Sequence, residues 1–320
     1  EYWGNPSSFH YFGQKAKQYL SDARRLISFI LCCEPDEIIF TGGGSEADNL
    51  AIKGLIQAID GKSEIRNPKS ETNSNYKKSD SKNLQPVTCN LDTLPHVITS
   101  AFEHHAVLHT VEELEKQGLI EATYIKPNAE GIVQVSDVEA AIKDNTVLVS
   151  IMYVNNEDGT VQPISQIAKL LNQKSKIKNQ KFGKIYFHTD AVQAVEYFET
   201  NPEYLGVDMM SIAAHKFYGP KGVGALYVRK GTPLSHQIVG GGQEFKKRAG
   251  TENVAGVAGM ASALEIIFKQ RADESIENLG YPSGSAQDAG DEEYIKQTQA
   301  MLKKMPALKL DQTTYKIIKL

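Results

Sequence analysis

Short apolar runs alternate along this chain with longer stretches whose apolar residues recur every three or four positions, and few folds satisfy that order. The runs "EIIF", "HVITS", "TVLVSIMYV", "KIYFHTD", "GVDMMSIAA" and "GVGALYVRKG" read as strands. Between them, "QKAKQYLSDARRLISFILCC" places Leu20, Ala23, Leu26, Ile27 and Ile30 at helical spacing. "TGGGSEADNLAIKGLIQAI" reads as a glycine turn opening a helix, and "HHAVLHTVEELEKQG", "VSDVEAAIKDN" and "ISQIAKLLNQ" read as helices. Strands and helices in alternation predict an α/β fold, a mainly parallel sheet covered by helices on both faces. Ligands of such folds sit beyond the carboxyl ends of the strands.

One segment breaks the rhythm. Residues 61–95, "GKSEIRNPKSETNSNYKKSDSKNLQPVTCNLDTLP", are rich in Ser, Asn, Lys and Asp and poor in apolar side chains, which predicts a disordered surface insertion. The 320 residues suffice for one large domain or two smaller ones. With 35 Lys and Arg against 39 Asp and Glu, the formal charge of −4 gives no electrostatic reason to expect nucleic acid as a partner. No apolar run reaches the roughly 18 residues of a membrane span, and "EYWGNPSSFHYFG" lacks a basic region followed by an apolar core, so neither a membrane nor a secretory signal is expected. Cys32, Cys33 and Cys89 form no disulfide framework and no paired metal-ligand spacing, so no metal site is expected. A reducing intracellular compartment fits them, the cytoplasm first and the mitochondrion where a presequence precedes Glu1.

Three positions carry chemistry. Lys216 follows His215 at the end of an apolar run, just before a Gly-Pro turn. An ammonium there either points to water, the commoner outcome, or loses its charge as a Schiff base to a carbonyl cofactor. The run Thr41 to Glu46, "TGGGSE", enters a helix with three glycines, so its N–H groups and the Ser45 hydroxyl can cradle an anion. Taken alone, it fits a plain turn with Ser45 as N-cap equally well. Asp190 ends the run "KIYFHTD"; it can cap the following helix, or hold a protonated pyridine nitrogen. A phosphate cradle, a strand-end Asp and a strand-end Lys, in that order, are what pyridoxal phosphate requires of a protein.

With these in place the sequence resembles the pyridoxal-phosphate-dependent cysteine desulfurases and selenocysteine lyases, in the class V aminotransferase group of fold-type I enzymes. The motifs "DEIIFTGGGSEADNLAIKG", "HVITSAFEHHAV", "LVSIMYVNNEDGTVQPI", "HTDAVQA", "HKFYGPKGVGALYVR" and "GGGQEFKKRAGTEN" carry the resemblance. It implies that Lys216 bonds the cofactor, pyridoxal 5'-phosphate. Gly44, Ser45 and His215 would hold its phosphate. Asp190 would hold the pyridinium, with Asn156 and Gln193 hydrogen-bonded to the cofactor. His104 would stack on the ring and help move protons. Thr251 would reach the phosphate of a neighbouring subunit, which makes a homodimer with shared sites.

The same resemblance implies a large domain over residues 1–258 and a partial or divergent small domain over 259–320. The expected activity is removal of sulfur from L-cysteine, giving alanine and supplying iron–sulfur cluster assembly or another sulfur-transfer route through an acceptor protein. A selenocysteine lyase acting on L-selenocysteine is the alternative, and a catalytically impaired paralogue serving as a binding or regulatory module is the alternative of another class. Three departures bear on this. Ala213 stands where many desulfurases have a phosphate-binding serine, with Ser211 two residues back on the same strand face. The family's N-terminal strand is not found, and the pattern is lost after about Ala272, with no cysteine beyond Cys89 to match the family's mobile catalytic cysteine.

Overall fold

The computed structural model describes residues 3–64, 94–174 and 182–277. Helix α1 (Tyr11–Ile30) is capped at its start by the His10 ring, which accepts the Gly13 N–H. Its stripe of Ala16, Leu20, Ala23, Leu26, Ile27 and Ile30 is buried, as the spacing requires. Strand β1 (Ile38–Thr41) leads into α2 (Gly44–Glu64). Next come β2 (His96–Ser100), α3 (His105–Lys116), β3 (Glu121–Ile125), α4 (Val135–Ala141), β4 (Thr146–Ser150) and α5 (Ile164–Lys174). The chain continues through β5 (Tyr186–Asp190), α6 (Pro202–Leu205), β6 (Met209–Ala213), β7 (Gly224–Val228), α7 (Gln243–Lys246) and α8 (Val254–Glu277).

The strands form one seven-stranded sheet in the order β1-β7-β6-β5-β4-β2-β3. Strands β3, β2, β4, β5 and β6 are parallel neighbours, and β7 runs antiparallel to both β6 and β1. The chain therefore forms the expected mainly parallel α/β sheet between helices. Leu50, Ala51 and Leu55 of α2 join Val107 and Val111 of α3 in the core on one face. On the other face Leu26 and Ile27 of α1, Ile167 and Leu171 of α5, and Met260 and Leu264 of α8 share a second core.

Several boundaries differ from expectation. Residues 61–64 continue α2 rather than beginning an insertion, and Leu94 and Pro95 are buried at the approach to β2; 65–93 lie outside the described residues. "TVLVSIMYV" leaves the sheet after Ser150, because Tyr153 and Gln162 bond each other across a tight excursion that pairs Val154 with Val161. Strand β3 has no counterpart among the expected strands; at the sheet edge its side chains are only half-buried, so "EATYI" lacks the apolar signature. Helix α8 crosses positions 258 and 259 without a break and packs on α1, while 278–320 lie outside the described residues. Among the described residues no helix is long and apolar enough to cross a membrane.

Candidate functional site

The parallel strands β2, β4, β5 and β6 end along one rim of the sheet, and every strand-end position singled out in the sequence lies there. Asp190 is the last residue of β5, and it is buried. One of its oxygens accepts the Val192 N–H at 2.9 Å. Burial pushes its carboxyl upward, while that N–H, His104 and Lys216 oppose the rise. Lys216 ends a single 3-10 turn, Ala214–Lys216, directly after β6. The turn is fixed by fully buried Phe217 and by the Gly219 N–H donated to the Ala214 carbonyl at 2.8 Å, which leaves the Lys216 side chain exposed beside Asp190.

The glycine turn faces this pair. Gly43 has φ +150°, open to glycine and rarely adopted by other residues. At Gly44 a Cβ would lie 2.8 Å from Val192 Cγ2, so the start of α2 sits directly against the segment after Asp190. The first N–H groups of α2 precede any helical carbonyl that could accept them. Ser45 is exposed at that end, and Glu46 folds back to accept the Gly42 N–H at 2.8 Å. Helix-end N–H donors, a lysine amine and an accepting carboxylate are the groups that a phosphorylated pyridine aldehyde needs, and they converge here without distortion of the fold.

His104 caps α3, its Nδ1 accepting the Ala106 N–H at 3.1 Å. That bond fixes an exposed ring beside the buried carboxylates; ligand atoms of His104, Asp190 and Asp48 all lie within 4.8 Å of one another. One proton or one cation could bridge such a spacing, and burial, which raises both carboxyls, favours the proton.

The remaining expected contacts are less converged. Gln193 is half-buried in the turn after Asp190. His215, exposed next to Lys216, has its ring pushed toward the neutral form by partial burial and by Lys216 and Lys221. Asn156 is half-buried, with its amide donating to Glu157 at 2.8 Å. Thr251 is exposed, three residues past Arg248, which ties that loop to Glu46 at the head of α2 with a 2.8 Å bond.

Ser211 is fully buried and bonded to His188 Nε2 at 3.0 Å, so it is occupied below the rim rather than standing in for the serine replaced by Ala213. Cys32 and Cys33 lie near Tyr227 and Arg229 around a cavity of about 480 Å³. That cavity opens at the far end of β6 from Lys216, because Met209 pairs with Val228 while Ala213 pairs with Gly224. Five strand residues separate the two ends by about 13 Å. Burial raises both thiols, Cys32 to about 11, which suppresses thiolate formation. Cys89 lies outside the described residues.

Three polar residues of this rim were not singled out in the sequence. Glu103 is buried, and its Oε1 accepts the Ser100 hydroxyl at 2.6 Å and the Met152 N–H at 2.9 Å. Its Oε2 has no partner, and burial raises the carboxyl to about 8. Asn155 is buried, donates to the Phe102 carbonyl at 3.0 Å and accepts the N–H groups of Glu157 and Asp158. It thereby fixes the loop that carries Glu103 and His104. Asp48, one turn into α2, is the third. The sequence held a signal for it: Gly44, Ala47, Asp48, Ala51, Ile52 and Leu55 make one helical stripe, and Asp48 is the only charged member.

The family model described as aminotransferase class-V matches residues 1–79 and 79–280. A cysteine desulfurase IscS of Dictyoglomus turgidum is 43% identical over 279 residues, covering 87% of this chain and 60% of the relative. A cysteine desulfurase IscS of Clostridium botulinum is 42% identical over 275 residues, covering 86% and 59%. The chain thus spans about 60% of the length of these curated relatives. Among solved structures, "SspA in complex with cysteine" superposes with a TM-score of 0.68 at 34% identity, over 92% of this chain and 70% of that one. A NifS-like protein superposes with a TM-score of 0.69 at 32% identity, over 88% and 70%.

Proposed function

The chain belongs to the class-V aminotransferase family, and from that premise we propose that it acts as a pyridoxal-phosphate-dependent cysteine desulfurase, taking sulfur from L-cysteine and leaving alanine. The observation that carries this is the meeting of Lys216, Asp190, His104 and the head of α2 on one rim of the sheet. The family resemblance of the cofactor motifs and the identity of the relatives support it. When bound, pyridoxal phosphate supplies an electron sink for the substrate's α-carbon.

In this reading Lys216 Nζ would hold the cofactor covalently, and its amine would be the group that carries the α-proton. The Asp190 carboxylate keeps a proton on the pyridine nitrogen. The N–H groups of Gly44 and Ser45, with the Ser45 hydroxyl and the His215 ring, hold the phosphate. Asn156 and Gln193 orient the ring by hydrogen bonds. His104, its Nδ1 committed to Ala106, would stack on the bound cofactor and has its Nε2 left to move protons on the substrate. Thr251 would complete the site of the partner in a homodimer. The sulfur would be taken as a persulfide by a thiolate, which neither Cys32 nor Cys33 is placed to supply, and would pass to an acceptor protein serving iron–sulfur cluster assembly. L-Selenocysteine offers the same amino-acid frame, but the similar proteins are cysteine desulfurases, so cysteine is the proposed substrate.

The test is chemical trapping. Protein incubated with pyridoxal phosphate, reduced with borohydride and mapped by mass spectrometry should carry the adduct on Lys216, and Lys216→Ala should lose it. An adduct on another lysine, or none, overturns the assignment.

A further inference from the structure

Beneath the rim, a chain of buried polar groups crosses three strands and ends at Asp48. Ser150 Oγ on β4 lies 2.9 Å from His188 Nδ1 on β5, and His188 Nε2 lies 3.0 Å from Ser211 Oγ on β6. The Ser211 hydroxyl also reaches Asp48. All four side chains are buried, Asp48 at 1% exposure. Burial pushes His188 down to about 3, so its ring is neutral and has one proton to give. With Ser211 donating to Asp48, that proton sits on Nε2 and Ser150 donates to Nδ1. Every donor in the chain then points toward Asp48, and the last of them, the Ser211 hydroxyl, favours its anion against the larger effects of burial and the neighbouring carboxyl.

Asp48 Oδ1 has no hydrogen-bond partner. His188 Nε2, 3.6 Å away, is beyond hydrogen-bonding length and brings no charge. A charged Asp190 repels a negative charge at this position. Asp190 is better supplied: burial raises its carboxyl too, but the Val192 N–H it accepts, His104 and Lys216 all oppose that rise. Two carboxyls this close in a dry site do not both ionise readily. The asymmetry of their partners decides which one keeps the proton.

We propose that Asp48, buried beside Asp190 with one oxygen unpartnered, is held as a neutral acid, so that Asp190 is the one ionised carboxylate offered to the pyridine nitrogen. This deepens the pyridoxal-phosphate reading and rests on it for the identity of the nitrogen. A second negative charge at Asp48 would be left uncompensated in a buried site, whereas a neutral acid adds a polar wall without changing the charge balance.

The experiment has two arms. In the first, the full chain without cofactor is labelled isotopically at its aspartate side-chain carboxyls, and infrared spectra are taken near neutral pH. A label-sensitive band of a protonated carboxylic acid is expected in the wild type, retained in Asp190→Asn and lost in Asp48→Asn. Absence of the band in the wild type, or its loss in Asp190→Asn with retention in Asp48→Asn, overturns the proposal. In the second arm, cofactor affinity is measured for Asp48→Asn, whose amide imitates the neutral acid. It should stay within about threefold of wild type, whereas removal of a working charge would cost about tenfold or more, the equivalent of roughly 1.4 kcal/mol; such a loss also overturns the proposal. The first arm needs no cofactor, so failure of the wild type to bind pyridoxal phosphate would count against the proposed function and leave the protonation of Asp48 separately decided.

Discussion

Replacing Glu103 with glutamine should make the protein more stable, increasingly so as the pH rises. Glu103 is buried between β2 and the Ile151–Val154 excursion, where Ser100 and Met152 satisfy Oε1 and nothing satisfies Oε2. Burial lifts its carboxyl from 4.5 to about 8 in the folded protein. A raised folded value means that the folded state holds a proton the unfolded chain has released. Stability from this group is therefore complete below about pH 4.5 and declines as pH climbs through about 8.

The full decline is about 5 kcal/mol, at 1.36 kcal/mol for each pH unit between the two values. Glutamine keeps an acceptor at the Oε1 position and never ionises, so the decline disappears in Glu103→Gln. Urea unfolding of both proteins, without cofactor, should show the variant gaining on the wild type by about 4 kcal/mol between about pH 5 and about pH 8. Near pH 5 the two should differ little. Parallel profiles would show that Glu103 is ionised in the folded state, and the account of this carboxyl as a buried neutral acid would be refuted.

Two other outcomes are expected from the same structure. Arg24 and Glu244 form a buried ion pair at 2.6 Å, with Glu244 also accepting the Phe40 N–H at 2.8 Å. Glu244→Ala strands the guanidinium and should cost about 3–5 kcal/mol in urea unfolding; a change below about 1 kcal/mol would mean that water reaches Arg24. Cys32→Ser and Cys33→Ser should leave any cysteine turnover unchanged, with no persulfide on either residue by mass spectrometry. A thiol by the far end of β6, a strand length of about 13 Å from the rim, cannot attack at the roughly 3–3.5 Å that sulfur transfer needs, and loss of turnover in either variant would contradict the placement.

The legible part of this molecule was the part governed by local rules. "HVITS" is β2 from end to end, and Lys216 and Asp190 stand at strand ends because the apolar run stops and a turn begins there. The edge strand β3 escaped, since a half-buried strand needs no continuous apolar run. So did the left-handed turn at Glu244, Phe245 and Lys246, whose φ values of 44°, 57° and 64° suit glycine. That turn persists because Arg24 and the Phe40 N–H grip Glu244 from far away in sequence. Asp48, Glu103 and His188 look like ordinary solvated or capping residues until the sheet assembles. Their meaning comes from each other, and only tertiary structure brings positions 48, 103, 188 and 211 together.

The partnership of the first strand with the last also governs how the chain must be made. Among the described residues strand β1 has β7 as its single neighbour, and α1 lies against α8. The Phe40 amide finds its acceptor 204 residues later, at Glu244. At roughly 5–20 residues per second, a ribosome needs roughly 10–40 s to bridge that gap. Throughout that interval the nascent chain carries an unpaired β1 and the uncovered apolar stripe of α1, while β2 to β6 can already collapse. The sheet order thus leaves an exposed strand edge and an apolar helix face to be shielded during synthesis.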